Sequence, residues 1–446
     1  MKRLLIVSPH FPPVNAPDLQ RVRMSLPRFV ERGWEVTVLT VDDPTPVAPL
    51  DPELAATIPA AVRVVRVRCL SRRWTGRLGV NNVAWRAFPF LLAGGRRLLR
   101  GRRFDVVYFS TTMFAVLPLG RLWRALHGVP YVIDLQDPWL SDFHAVAGAP
   151  PPPGGWKYRV AQGLARLLEG WTLRRAAHLV SVSAGYVETL RRRYPWFAAR
   201  PATVLPFGSP DRDLARVRAT LDRRPPVLPG GGPARLAYVG RLGADMGPAL
   251  AVLFAGLARA RTPGPAPTVH LLGTSYAPAG TGRPSATALA EAAGVGALVR
   301  ESPDRIPYFA ALQVLLQADA NLIFGSDDAA YVPSKILPAL AAGRPVLALA
   351  PRGSQLAHRL AELGGAHLVT FSGPDDGAAV FAAARLLQEL AAGRLAPLPA
   401  SAGLAAQSGD AVADRQLAIL ESACTWTLSA EDRPPDFRAP PAAPAP

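Results

Sequence analysis

Three lysines stand among 47 arginines in this chain, and one of them, Lys335, follows a serine at the start of an apolar run. In VPSKILPALAAGRPVLALA, Ser334 is placed to cap a helix that runs through Ala342 and stops at Gly343. The free N–H groups and positive dipole end of such a helix, beside the Lys335 ammonium, suit a phosphate. A second cation, Arg241, follows Gly240 in YVGRLG at the end of an apolar run, where a guanidinium can pair with phosphate through two hydrogen bonds. Together the two fit a diphosphate better than either does alone. In the first half, LQDPWL offers the Asp137 carboxylate to orient hydroxyls and the Trp139 ring as a face for a sugar or lipid. The loop SPHFPPVNAPDLQRV, with Asn15 and Ala16 near its centre, leads into a helix start and can hold an anion or a sugar hydroxyl. It has no glycine and fails the G-x-G-x-x-G pattern of dinucleotide sites. Each residue also has an ordinary alternative: Lys335 as a solvated first-turn lysine, Asp137 as a turn residue before proline. Asp327 and Asp328 are adjacent carboxylates but make no convincing metal pair, so no metal is expected.

These residues sit at the ends of short apolar runs, and the runs alternate with helical patterns. In the first half, strands are expected at Leu4–Val7, Glu35–Val41, Val62–Arg68, Asp105–Ser110, Tyr131–Asp134 and Leu179–Val182. In the second they are expected at Leu236–Val239, Val269–Leu272, Ala320–Phe324, Val346–Ala350 and His367–Phe371. Strands separated by helices imply parallel sheets wrapped on both faces, which bind ligands beyond the carboxyl ends of their strands. The expected domains are 1–205, 206–410, a helix over 411–428 and a Pro/Ala tail over 429–446. The segment Asp222–Pro233, rich in proline and glycine, is a linker or a loop just inside the second domain.

Composition narrows the partners. Residues 1–205 hold 29 basic and 13 acidic side chains, whereas residues 206–446 hold 21 and 20, so the net charge of +17 lies almost wholly in the first half. No zinc finger, helix-turn-helix or RNP-like strand points to nucleic acid. Phe88–Arg103 joins an apolar block to Arg96, Arg97, Arg100, Arg102 and Arg103; it is either a segment for an anionic membrane surface or an amphipathic helix with a solvated arginine face. The opening MKRLLIVSPHFPP reads as a strand rather than a signal peptide. Two cysteines far apart give no disulfide framework or zinc spacing. The expected location is cytoplasmic, with peripheral attachment to the inner membrane face as an extension.

Taken together, the opening loop and helix, DLQDPW, SVSAGY, YVGRLG and PSKILPALAAGRPVLAL resemble glycosyltransferases of the GT-B fold, most closely the family 4 type, over about Met1–Trp426. The resemblance implies an α/β fold of two Rossmann-like doubly wound domains facing a central cleft. It implies transfer of a sugar from a UDP- or GDP-linked donor to a hydroxyl acceptor, with retention. The two cations and the lack of a convincing DxD pair point to a step without a metal or other cofactor. The basic first half fits a lipid-linked or glycan acceptor, as in cell-surface polysaccharide or glycolipid assembly. Arg241 and Lys335 would then contact the diphosphate, with Gly240, Ser334 and Asp327 beside them, and Asp137 would orient the acceptor. Four positions depart from the family pattern: Ala330 and Pro338 replace two glutamates, Met246-Gly247 replaces a Lys-Gly pair, and Phe207-Gly208 replaces Asn-Gly. A charged hydrogen bond to the ribose is worth about 1.5–3 kcal/mol, so donor binding should be weaker or differently built. The competing reading is an idle scaffold that binds a sugar nucleotide or glycan; an epimerase finds no carboxylate cluster.

Overall fold

Five-residue runs such as Leu4–Val7 with its neighbours, or Val106–Ser110, are buried along almost their whole length, which only a strand covered on both faces of a sheet allows. The computed structural model describes residues 1–46, 48–101, 103–140, 156–230, 233–260, 264–275, 277, 280–329 and 331–426. They fall into two compact units.

The first unit comprises Met1–Leu50, Thr57–Pro206 and the chain from Ala413 onward. Its strands are β1 (Arg3–Val7), β2 (Glu35–Asp42), β3 (Arg63–Arg68), β4 (Val106–Ser110), β5 (Tyr131–Leu135), β6 (His178–Ser181) and β7 (Ala202–Val204). They form one parallel sheet in the order β3-β2-β1-β4-β5-β6-β7. The second unit comprises Asp51–Ala56 and Phe207–Val412. Its strands are β8 (Arg235–Val239), β9 (Thr268–Leu272), β10 (Val299–Ser302), β11 (Ala320–Phe324), β12 (Val346–Pro351) and β13 (His367–Phe371), ordered β10-β9-β8-β11-β12-β13. In both sheets the chain winds outward from the centre in one direction and then the other. The reversal lies between β1 and β4 in one unit and between β8 and β11 in the other.

Both sheets carry an edge strand that the sequence hides. β7 and β10 are half exposed and mix polar with apolar residues, so neither shows the continuous apolar run of a buried strand. The segment 222–233 lies inside the second unit, where Leu228 is buried and Gln317 accepts from the Val227 N–H, so it is not the linker. The last helix, Gly409–Cys424, begins in the second unit and packs mainly on the first. There Ser25 and Tyr108 bond Gln416, and Arg28 and Arg32 pair with Asp414. The tail and Arg102 lie outside the described residues.

The helix Val83–Gly101 turns its aliphatic residues inward: Leu91, Leu98 and Leu99 are buried, and Gly95 is needed because a Cβ there would strike Trp123. The apolar block of Phe88–Arg103 is therefore mostly core, and Arg97 and Arg100 form an exposed face.

Candidate functional site

In the second unit, β8 ends at Val239 and the chain turns sharply at Gly240, whose φ of 126° is open to glycine and strained for other residues. The space beside it is filled by Lys335, since a Cβ on Gly240 would lie 2.1 Å from the ammonium. The Lys335 ammonium donates to the Tyr238 hydroxyl at 3.0 Å and lies 4.7 Å from the centroid of that ring. Among the described residues no carboxylate comes within ion-pair distance of it. Burial, and then the charge of Arg241, lower its pKa to about 7.

Arg241 is two-thirds covered and is held by Asp245, whose Oδ1 accepts from both terminal nitrogens at 2.8 and 2.9 Å. The Asp327 N–H bonds the Asp245 carbonyl at 2.8 Å, joining the loop after β11 to the loop after β8. The carboxylate-bearing residues Asp327 and Asp328 are exposed. Gly240, Arg241, Asp327 and Lys335 are thus brought together at the point where the strand order reverses, which is where open α/β sheets bind ligands.

Ser334 is a correction. The helix runs over Ile336–Ala341 with Lys335 at its cap position, and Ser334 makes no capping hydrogen bond. Pro338 has no N–H to return to the Ser334 carbonyl, so the first helical bond is the one from Ala339 to Lys335, at 3.2 Å. The helix still ends as expected, with Gly343 left-handed at φ 72°. Met246, at the position of the missing Lys-Gly pair, is fully buried, and Ala330 lies outside the described residues.

In the first unit, the loop after β1 buries Asn15 and Ala16. The Asn15 N–H bonds the Pro49 carbonyl, and Ala16 leads into a single turn at Pro17–Leu19. What the loop presents instead is His10 against Asp18. His10 Nδ1 lies 2.9 Å from Asp18 Oδ1, and the other Asp18 oxygen accepts from Thr111 at 2.7 Å, just beyond β4. The Gln136 amide donates to the Asp18 carbonyl and to Ser110. Burial alone would lower the His10 pKa, but the hydrogen bond and charge of Asp18, helped by Asp43, outweigh it and raise the value. Beneath them Asp134 is fully buried, with Arg21 at 3.0 Å and hydroxyls of Ser110 and Tyr108 on the same oxygen.

Asp137 stands exposed past the end of β5. Desolvation by the protein around its carboxylate, and then the negative charge of Asp18, raise its pKa. Trp139 is half-buried and stacks one face on Phe114, with centroids 5.8 Å apart. His10 and Asp18 escaped the sequence reading because they lie eight positions apart across a loop and no periodicity links them. A histidine and an acid flanking a proline-rich loop were the available signal.

Among the described residues no cluster of three or more His, Cys, Asp or Glu could hold a metal. Likewise no helix there is long and apolar enough to cross a membrane.

The family model described as "Glycosyl transferase 4-like domain" matches residues 20–208. Over those residues the chain is similar to glycosyl transferase 4-like domains. Solved structures similar to the whole chain show the fold that goes with it. Sucrose-phosphate synthase from Thermosynechococcus elongatus is 16% identical, with a TM-score of 0.56, over 94% of this chain and 98% of that one. HepE from Anabaena, in complex with UDP and glucose, is 16% identical, with a TM-score of 0.50, over 95% and 100%. The N-terminal domain of trehalose-6-phosphate phosphatase from Candida albicans is 12% identical, with a TM-score of 0.57, over 95% and 97%. At these identities the likeness is one of fold: two doubly wound α/β units, the GT-B class. No curated protein sequence matches the chain.

Proposed function

We propose that the chain is a glycosyltransferase that moves a sugar from a nucleoside diphosphate to a hydroxyl acceptor. The observation that carries this is Lys335: a half-buried lysine whose ammonium has no carboxylate partner among the described residues, beside Arg241 at the reversal point of the second sheet. An anion completes such a site, and a diphosphate spans two cations. The fold neighbour from Anabaena was solved with UDP and glucose, which supports a sugar nucleotide as the ligand here. Arg241 and Lys335 supply the positive field that a departing diphosphate needs, which supports a metal-independent step. Asp137 orients the acceptor. The resemblance implies retention of configuration.

The idle-scaffold reading rests on Pro338, where a carboxylate for the ribose is replaced by a ring inside the helix. Calorimetry against UDP, GDP and their common sugar conjugates separates the readings when Arg241→Ala and Lys335→Ala are run alongside. Transfer activity with one donor, and binding that both substitutions weaken, is the expected result. Binding without turnover favours the scaffold, and no binding by folded protein ends both.

The exposed Arg97 and Arg100, with half-exposed Trp85 on the same helix, suit a lipid-linked acceptor at an anionic surface. Replacing the two arginines by Gln should weaken sedimentation with phosphatidylglycerol vesicles, and unchanged sedimentation would remove that extension.

A further inference from the structure

Tyr238 is the penultimate residue of β8, buried in the core of the second unit with its ring against Phe324, centroids 4.9 Å apart. A phenylalanine would fill that place as well and would spare the cost of taking a hydroxyl out of water. Two hydrogen bonds offset that cost here, and both run to the candidate site. The hydroxyl donates to the Arg241 carbonyl at 2.6 Å and accepts from the Lys335 ammonium at 3.0 Å. Its one proton goes to the carbonyl, because an ammonium can only donate and the Met246 sulfur stands farther off, at 3.7 Å. The face of the ring adds to the seat, with its centroid 4.7 Å from the ammonium. One oxygen atom thus ties the loop after β8, which carries Arg241, to Lys335 at the cap of the helix after β11.

We propose that Tyr238 is the positioning residue of the donor site: its hydroxyl fixes the Lys335 ammonium against the Arg241 backbone and so sets the separation of the two cations that hold the donor's phosphates. The inference rests on the transferase reading. A lysine side chain is a point charge on a flexible four-carbon stem, so it fixes no position by itself. The other cation is already held. Asp245 takes both terminal nitrogens of Arg241 at 2.8 and 2.9 Å, and the Asp245 carbonyl accepts from the Asp327 N–H. Lys335 has no carboxylate to hold it in the same way among the described residues, and the Tyr238 hydroxyl stands in for one. Its neutrality matters. A carboxylate at that point would compete with the phosphates for the ammonium, whereas a hydroxyl oxygen orients it and leaves its charge to the ligand. An ammonium ordered beforehand loses less freedom when the ligand arrives.

Calorimetry on the full chain tests this with Tyr238→Phe, which keeps the ring on Phe324 and removes only the oxygen. Of UDP and GDP, the nucleotide that wild type binds should bind the variant about 10-fold or more weakly, since a hydrogen bond to a charged group is lost. Affinity for the matching nucleoside, which has no phosphate, should not change. Lys335→Ala and the double variant complete a cycle: if Tyr238 acts through Lys335, Tyr238→Phe in the Lys335→Ala background should alter affinity by less than about twofold. A Tyr238→Phe affinity within about twofold of wild type overturns the proposal, because a lost charged hydrogen bond is worth more. So does a loss of the same size with and without Lys335, an equal loss for the nucleoside, or a variant that no longer folds, since each makes the hydroxyl part of the framework. Folded wild type that binds neither nucleotide overturns the transferase reading and the positioning role with it, a result distinct from binding that ignores the hydroxyl.

Discussion

The two reversal points carry opposite chemistry, and each opposes the charge of the sequence around it. Residues 1–205 are strongly basic, yet their reversal point holds Asp18 against the His10 imidazole, with Asp137 near enough to feel the charge of Asp18. Residues 206–446 are almost neutral, yet theirs gathers Arg241 and Lys335. Net charge describes the solvated surface. A site is set by which side chains the ends of the central strands hold out of water, and a few groups there outweigh a large surface excess because burial removes the screening.

If the two points are independent, damage to one should spare the other. The largest effect is expected from Arg21→Met, which strands the buried Asp134 and removes the guanidinium that donates to the Leu205 carbonyl. Breaking a buried pair from one side costs about 3–5 kcal/mol, measurable by denaturant unfolding, with nucleotide affinity retained by the folded fraction. Gly240→Ala should do the converse. Its methyl group meets the Lys335 ammonium at a positive φ, so a loss of about 1–3 kcal/mol accompanies weakened nucleotide binding, while the His10 titration seen by NMR stays put.

A pH titration sharpens the contrast further. Lys335 has its pKa lowered from 10.5 to about 7 in the fold. Between those values the unfolded chain binds the proton and the folded chain does not, so the penalty this group places on folding is full near neutrality and below, and fades as pH rises through the window. A diphosphate reverses the balance by stabilising the ammonium. UDP binding at about pH 8.5 should therefore take up close to one proton, seen as a binding heat that depends on the buffer. The smallest effect is expected from Asp245→Asn, which frees Arg241 from a partly exposed ion pair and should tighten UDP about two- to fivefold in the same calorimeter.

Much of this frame is legible in the sequence, for physical reasons that also explain the failures. β12 and the stop at Gly343 are plain because a strand buried on both faces needs an unbroken apolar run, and a left-handed turn favours glycine. The edge strands β7 and β10 are not, since half-solvated strands tolerate any mixture. The helix Gly377–Ala391 was missed for a related reason: its alanine-rich face shows little contrast, and its capping residue, Asp376, follows another aspartate in a loop. At the reversal point of the second sheet, Gly240 and Arg241 were visible as strand-end residues and Lys335 as a helix-start residue, whereas Ser334 was misread as the cap by overlooking the missing N–H of Pro338. The His10–Asp18 pair is a product of loop closure, which spacing does not encode.

The last helix has a consequence for synthesis. Domains emerging from a ribosome usually fold in order, the first to appear being the first to finish. Here the hydroxyls of Ser25 and Tyr108 find Gln416 only after the entire second unit has been made. The half of the protein that is translated first is therefore the half that is completed last, and until then it waits with an open seam.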